Sequence, residues 1–358
     1  MCILSLLFLA GCRDEEPVQS AESKRTITVN LGIAMSRVAL DDTDLGDDSQ
    51  PTDMKVWIFN QDNTVKVDYY EISNPIFSGS DALGELVNTY ERIIELENEV
   101  TALNFYVVLN SGNAQGLSPF LDENSMPDQI KAAFFTGLQN VTADNEVPAY
   151  GCEENFDVSD HKNSYSPTIN VTRTVGKLEV LFTKESEDSY LKINKVEITQ
   201  GIPTKGYLAE VSDNDDRSYD EGSIMLFESE QEEEGVIDVF LPQSEANYGD
   251  FSLHADKFQS LTQGYLLENP NGKEWNDEKH DWTYPNVPDG ETYCYVLQID
   301  YQTLEGENPK SKNIYLPIIE RNTWNKIFVR VKREEIDMEF ELLVEPWHEI
   351  DIEVPPFV

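Results

Sequence analysis

The sequence contains few of the side chains on which most catalytic and metal sites depend. Its 358 residues include four histidines and four cysteines. No two histidines have the spacing of a metal-binding pair, and no nucleophile elbow or phosphate-binding loop is present. Carboxylates occur along the whole chain, so no particular pair stands out as an acid–base couple. These absences argue against an enzyme and against a bound cofactor.

Basic residues are also scarce. The chain has 26 Lys and Arg against 68 Asp and Glu, which gives a formal net charge of -42. A nucleic-acid interface needs clustered basic side chains that displace counterions. The composition therefore predicts no nucleic-acid partner, whereas such an excess of acid is typical of a soluble exported surface.

Two acidic stretches resemble the beginning of a calcium-binding loop. The first lies within residues 41–48 and the second within residues 213–216. In the first, Gly46 occupies a place where a ligand belongs, and Arg217 interrupts the second. Both stretches are therefore interpreted as solvated acidic loops, and no metal site is predicted.

The amino end carries the pattern of an export signal. A short apolar run ends in Leu9-Ala10-Gly11-Cys12. Such a run before small residues is typical of a secretory signal. With a cysteine directly after them, the pattern resembles a bacterial lipoprotein signal and predicts a covalent lipid on Cys12; the alternative is a cytosolic chain with a chance apolar start. Cys152 and Cys294 are expected to be unpaired and partly buried, because two cysteines do not make a disulfide framework.

Alternation of apolar residues is the dominant pattern of the remaining chain, and it predicts strands. The first strand spans residues 26–34, and its inward side chains are Ile27, Val29, Leu31 and Ile33. Residues 102–110 are almost continuously apolar, which predicts a strand covered on both faces. Segments 314–318 and 324–331 are predicted to pair with each other. Residues 126–138 have helical spacing and are the clearest helix candidate.

Many short strands with few helices indicate an all-β protein of two tandem β-sandwich domains, transthyretin-like or Ig-like, with one or two short helices. The predicted division places a lipoprotein signal peptide at 1–11, an acidic tether at 12–25, an N-terminal sandwich at 26–160 and a C-terminal sandwich with a tail strand at 161–358. A long surface loop is predicted from residue 265 to residue 288.

Several short segments together resemble the fimbrillin family, the type V pilins of Bacteroidetes, which are made as lipoproteins. The resemblance is spread over most of the chain. Its segments are Thr26 through Arg37, 55–60, 105–110, 147–151, 172–178, Arg321-Asn322-Thr323-Trp324 and Val344-Glu345-Pro346-Trp347.

The resemblance implies a mechanism of assembly. In this family a trypsin-like, Arg-specific protease cuts after an arginine that follows the first strand. That strand leaves, and the carboxyl-terminal strand of a neighbouring subunit fills the groove by strand addition. Arg37 matches the family's cleavage arginine, so a cut between Arg37 and Val38 is predicted; the alternatives are an unprocessed loop arginine, or cuts at Lys24 or Arg25 that would leave the first strand in place.

The carboxyl end supplies the candidate donor strand by its alternation, with Ile350, Ile352 and Val354 at every second position. The resemblance further implies that the acidic run at 14–16, directly behind Cys12, directs the lipoprotein to the outer face of the outer membrane. A merely soluble tether is the alternative.

The leading hypothesis is a structural subunit of a cell-surface fimbrium that serves adhesion. Its implied partners are other fimbrial subunits, the Arg-specific protease, the outer membrane through the lipid, and a host or bacterial surface receptor. One alternative is an uncleaved anchor, minor or tip subunit. Another is a surface glycan-binding lipoprotein that uses Trp275, Trp282 and Tyr284.

Overall fold

The computed structural model describes residues 24–35, 51–75, 79–80, 86–141, 146–210, 218–246, 249–271, 274–276, 281–283, 293–332 and 338–346. Several predicted features lie outside these residues: the signal peptide and Cys12, the processing site Arg37 and Val38, the two acidic loops, Tyr284, and the donor residues Ile350, Ile352 and Val354.

The chain is all-β, as its alternation predicts. The strands up to residue 173 are β1 (Lys24–Met35), β2 (Asp53–Asn60), β3 (Lys66–Ser73), β4 (Gly79–Ser80), β5 (Leu86–Glu97), β6 (Ala102–Leu109), β7 (Ala114–Gln115), β8 (Phe134–Phe135), β9 (Gly137–Leu138), β10 (Ala149–Asp157), β11 (Ser164–Tyr165) and β12 (Thr168–Arg173). The later strands are β13 (Val175–Lys184), β14 (Lys192–Gln200), β15 (Ile202–Pro203), β16 (Gly206–Tyr207), β17 (Tyr219–Asp220), β18 (Ile224–Glu228), β19 (Gln259–Leu267), β20 (Glu274–Asn276), β21 (Asp281–Thr283), β22 (Val296–Gln302), β23 (Lys310–Tyr315), β24 (Thr323–Val331) and β25 (Met338–Pro346). The helical segments with defined bounds are α1 (Pro127–Lys131) and two 3-10 helices, Ser111–Asn113 and Phe251–Lys257.

The first half forms one sheet of nine strands in the order β3-β2-β6-β10-β12-β1-β5-β4, with β11 also paired to β1. The first strand of the sequence is therefore an interior strand of this sheet. The pairing of β11 and β12 with β1 also places residues 164–173 in the first sheet, although the predicted division near residue 160 assigns them to the second unit.

This sheet curls so that its two ends approach each other. Arg92 of β5 forms an ion pair with Asp68 of β3, at 2.9 Å between Nε and Oδ2, and its guanidinium lies 4.7 Å from the centre of the Tyr70 ring. The inner face of the curled sheet encloses one apolar core. Strand β6 is buried along nearly its whole length, which confirms the prediction of a strand covered on both faces.

The second half is built from two four-stranded sheets, β19-β13-β24-β25 and β18-β14-β22-β23, which share one buried core. Leu178, Val180 and Phe182 of β13 point into it. The predicted pairing of segments 314–318 and 324–331 is wrong, because β23 pairs with β22 while β24 pairs with β13 and β25. The segment between β23 and β24 crosses from one sheet to the other. A hydrogen bond fixes each of its ends: Leu316 N–H donates to Tyr295 O, and Asn322 N–H donates to Val175 O.

A third apolar cluster joins residues of the two halves. Its members include Trp57, Phe59, Tyr106, Val108, Leu121, Ile130, Phe135, Tyr150, Val175, Leu208 and Leu267. The predicted helix over residues 126–138 is wrong beyond residue 131, because Phe134–Phe135 forms β8 and pairs with β16. Pairing puts the Phe135 ring against Gly206, where an added Cβ would lie 2.7 Å from the ring.

Cys152 and Cys294 lie in different halves of the chain. Cys152 is exposed on β10 and Cys294 is fully buried just before β22, so the predicted partial burial is wrong for both. Neither forms a disulfide within the part of the chain that the structure describes.

Candidate functional site

The candidate site is the position occupied by β1. Apolar and polar residues alternate along this strand, so every second side chain faces the inside of the sheet. Ile27 is 1% exposed, and Val29, Leu31 and Ile33 are fully buried. Each such aliphatic side chain stabilises the sheet by about 1.5–3 kcal/mol through burial. These four residues anchor the strand.

Both edges of β1 are hydrogen-bonded. On one side β1 runs antiparallel to β5 over all twelve of its residues, from the pair Lys24 and Glu97 to the pair Met35 and Leu86. On the other side Thr28 N–H donates to Asn163 O at 2.8 Å, and Gly32 N–H donates to Pro167 O at 2.9 Å. Removing β1 would therefore leave an apolar groove between two unpaired strand edges, which is the arrangement that strand addition requires.

Apart from Lys24, the outer face of β1 carries no charged side chain. The strands on its two sides differ in charge. On β5, the exposed carboxylates Glu95 and Glu91 stand opposite Thr26 and Asn30 in the antiparallel register. On the other side Asn30 Nδ2 donates to Ser164 Oγ at 3.1 Å. The groove therefore has one acidic rim and one hydroxyl-bearing rim.

Gly32 marks a close approach between strands. A Cβ at this position would lie 3.1 Å from Thr168 Oγ1 and 3.5 Å from Pro167 O. The first distance is shorter than ordinary contact, so a larger residue would have to displace the Thr168 side chain. An isolated glycine inside a strand pattern is the sequence feature that indicates such an approach, so Gly32 could be singled out from the sequence alone.

The amino end of β1 is fixed by its basic residues. Arg25 Nη2 donates to Val100 O at 3.0 Å and to Val158 O at 2.8 Å, and Lys24 forms an ion pair with Glu97 at 3.0 Å. A protease needs an extended segment without such partners. The alternative cuts at Lys24 or Arg25 would therefore require β1 to detach first.

Of the three aromatic residues predicted for glycan binding, Trp275 and Trp282 are among the described residues. Trp275 of β20 is the register partner of Trp282 of β21 in a two-stranded hairpin. The predicted loop begins too early, because Tyr265 belongs to β19 and pairs with Lys177. The turn-forming composition begins only after Leu267, where the pairing of β19 with β13 ends.

The described residues form neither a metal-binding cluster nor a membrane-spanning helix. No group of three or more His, Cys, Asp or Glu side chains there is arranged to hold a metal ion. The helices with described residues are also too short or too polar to cross a membrane.

Comparison with known proteins gives a likeness in structure alone. No family model matches the sequence, and no curated protein matches it. A proposed cell adhesion protein from Bacteroides eggerthii superposes with a TM-score of 0.51 and 13% identity, over 90% of this chain and 96% of that one. A fimbrial assembly protein from Parabacteroides distasonis gives a TM-score of 0.50 and 12% identity, over 90% of this chain and 100% of that one.

The tip fimbrial protein Mfa3 from Porphyromonas gingivalis, with its carboxyl terminus truncated, gives a TM-score of 0.48 and 12% identity, over 90% of this chain and 100% of that one. The two structures with TM-scores of 0.50 and 0.51 show that the chain has the fold of a fimbrial assembly protein and a proposed cell adhesion protein of Bacteroidetes.

Proposed function

We propose that this chain is a structural subunit of a cell-surface fimbrium, that it is assembled by exchange of its first strand, and that it serves adhesion. The observation that carries the proposal is the position of β1. It lies at the amino end of the sequence, fills an apolar groove with four buried side chains, and is hydrogen-bonded along both edges. The fold shared with fimbrial and adhesion proteins supports the same conclusion.

In this proposal the chain is exported as a lipoprotein with its lipid on Cys12. The acidic tether then directs it to the outer face of the outer membrane. An Arg-specific protease cuts between Arg37 and Val38, which breaks the covalent link between β1 and the rest of the sheet. A guest strand from another fimbrial subunit takes the place of β1, and the chain offers its own donor strand with Ile350, Ile352 and Val354 elsewhere.

Cleavage alone does not empty the groove. The four inner side chains of β1 together stabilise its bound state by several kcal/mol, and the hydrogen bonds on both edges add to this. The cut strand therefore stays bound until a competing strand replaces it. Strand exchange, rather than release into solvent, is the step that joins two subunits.

The proposal is tested by the amino-terminal residue of the protein recovered from cell-surface material, determined by mass spectrometry. A mature chain that begins at Val38 supports a polymerising subunit, and Arg37→Ala should then abolish both the cut and the incorporation into fimbriae. A chain that begins at lipidated Cys12 supports the alternative of an anchor, minor or tip subunit. An uncleaved monomer whose behaviour is unchanged by Arg37→Ala would contradict assembly by processing.

One observation favours a function of another class, glycan binding. Trp275 and Trp282 are register partners in the β20–β21 hairpin, so two residues that combine a large apolar ring with a hydrogen-bond donor lie opposite each other. Trp282→Ala should then abolish retention on a polysaccharide column. Phe120→Ala, which alters a side chain that is 74% exposed outside this hairpin, serves as the control and should leave retention unchanged.

A further inference from the structure

We infer that the groove filled by β1 admits a strand from a different kind of subunit and rejects the segment 350–354 of a second copy of this chain. The inference rests on the proposed function, because it requires that β1 can be exchanged. It defines the guest by its chemistry. The guest carries apolar residues at the four inner positions, an uncharged or basic residue opposite Glu91, and a glycine beside Thr168.

The position opposite Glu91 is held by Asn30 in β1. Glu91 is exposed on the outer face of β5, and Asn30 faces it directly in the antiparallel register. Two like charges placed directly opposite each other destabilise a strand pair. An acidic guest residue at this position would therefore weaken binding, whereas the neutral Asn30 does not.

The segment 350–354 of this chain cannot avoid that repulsion. Its three apolar residues are separated by Asp351 and Glu353. To keep all three apolar side chains among the four inner positions, the segment has two registers in each of two directions. In every one of these four arrangements, either Asp351 or Glu353 takes the position of Asn30, because all intervening residues are acidic.

The position of Gly32 gives a second, independent mismatch. In the four arrangements it would be taken by Pro355, Glu353, Asp351 or Glu349. Each has a Cβ, which at this place meets Thr168 Oγ1 at 3.1 Å. Proline in the direction of β1 would also lose the hydrogen bond that Gly32 N–H makes to Pro167 O. The groove and the tail of one chain are thus not complementary.

The consequence concerns the order of subunits in a fimbrium. A subunit whose groove rejects its own segment 350–354 does not form a homopolymer by head-to-tail exchange of that segment. It takes the strand of an unlike subunit, and its tail serves an unlike groove. Such a chain occupies a defined position between two different neighbours rather than a repeated one.

The test uses the full chain cut after Arg37 and fluorescently labelled synthetic strands that compete for the groove. The reference strand has the sequence of residues 24–35. The second has the native tail sequence 347–358, and the third is that tail with Asp351→Asn and Glu353→Gly. In one register these two changes restore both Asn30 and Gly32 of β1, so the third strand is matched to the groove without any change in its apolar residues.

The amount of native tail bound in the groove is expected to be roughly tenfold lower than that of the reference strand, and the altered tail should recover most of that loss. Glu91→Lys in the chain should raise entry of the native tail by roughly two- to fivefold at low salt, with a smaller gain at high salt. Glu99→Lys, the same charge change in the turn after β5, is the control and should leave entry unchanged.

Equal entry of the native and altered tails would overturn the inference while leaving strand exchange intact. If even the reference strand fails to enter, strand exchange itself is contradicted, and the proposed function falls together with the inference.

Discussion

A single buried guanidinium fixes one end of the second half of the molecule. Arg330 on β24 is fully buried, donates from Nη1 to Ala246 O at 2.8 Å, and lies 4.7 Å from the centre of the Phe251 ring. Arg330→Met places an apolar side chain of similar length at this position and leaves Ala246 O without this donor. We expect the free energy of unfolding to fall by about 2–4 kcal/mol.

Urea unfolding measures this loss. Lys257→Met, which changes an exposed cation at the end of the 3-10 helix Phe251–Lys257, is the control and should change stability by less than about 0.5 kcal/mol. An Arg330→Met protein as stable as the control would show that the buried hydrogen bond and ring contact contribute nothing net.

One carboxylate of the β22–β23 hairpin should make stability depend on pH. Glu307 accepts hydrogen bonds from Thr303 N–H at 2.6 Å and Leu304 N–H at 3.1 Å and forms an ion pair with Lys310 at 3.2 Å, and together these contacts lower its pKa from 4.5 to about 2. Because the folded pKa is the lower one, this stabilisation is present above pH 4.5 and is lost as pH falls towards 2. Glu307→Gln should therefore have a lower melting temperature than wild type at pH 6, with a gap that narrows between pH 4.5 and 2.

The control for this prediction is Glu305→Gln, a neighbouring exposed residue in the same hairpin loop. Its melting temperature should differ little from wild type across the same range. A gap for Glu307→Gln that stays constant from pH 6 to pH 2 would contradict the assigned role of its carboxylate.

At the scale of single elements, β1 should behave as a bound but separable strand. Leu31→Ala removes a fully buried side chain and should weaken the hold of the sheet on β1 by about 2–5 kcal/mol. Thr26→Ala, at an exposed position of the same strand, should have almost no effect. The measurement is the urea concentration at which the strand dissociates after cleavage at Arg37.

Wild-type β1 should stay with the cut chain in size-exclusion chromatography without urea, and the Leu31→Ala strand should be released at a lower urea concentration. Loss of wild-type β1 directly on cleavage would contradict the view that a competing strand is needed. Equal release of the Thr26→Ala and Leu31→Ala strands would show that inner-face burial does not determine retention.

Which elements could be predicted from sequence depends on how local their determinants are. The inner face of β1 and the burial of β6 follow from residue alternation and from a continuous apolar run, which are local patterns. The helix over residues 126–138 fails because Phe134 and Phe135 pair with β16, about seventy residues later in the chain. The predicted pairing of β24 with segment 314–318 fails for the same reason, since its actual partner β13 lies far earlier in the chain.

The candidate site shows the same limit. The sequence identifies which side chains of β1 are buried, but not which strands flank it. Glu91 and Thr168 become part of the groove only through the register of β5 and β12 with β1. Neither residue is distinctive in the sequence, so the chemistry of a guest strand cannot be predicted before the pairing is known.

At the scale of the whole molecule, the shared apolar cluster should couple the two halves. Phe135 is fully buried in it, together with Trp57 of β2 and Leu267 of β19. The connection between the halves is also held tightly, because Thr174 donates from both N–H and Oγ1 to Pro148 O, at 3.0 and 2.9 Å. We therefore expect strands of both halves to unfold in one transition.

Phe135→Ala should remove about 3–5 kcal/mol from this contact and separate the transition into two. Hydrogen exchange at increasing urea, followed at amides of β6 and of β13, measures the two halves independently. Phe120→Ala, which truncates a ring that is 74% exposed, is the matched control and should leave a single transition. Two transitions in the wild-type chain would contradict coupling through this cluster. Coincident transitions in Phe135→Ala would mean that the remaining contacts, with Thr174 at the junction, are enough to make the halves cooperative.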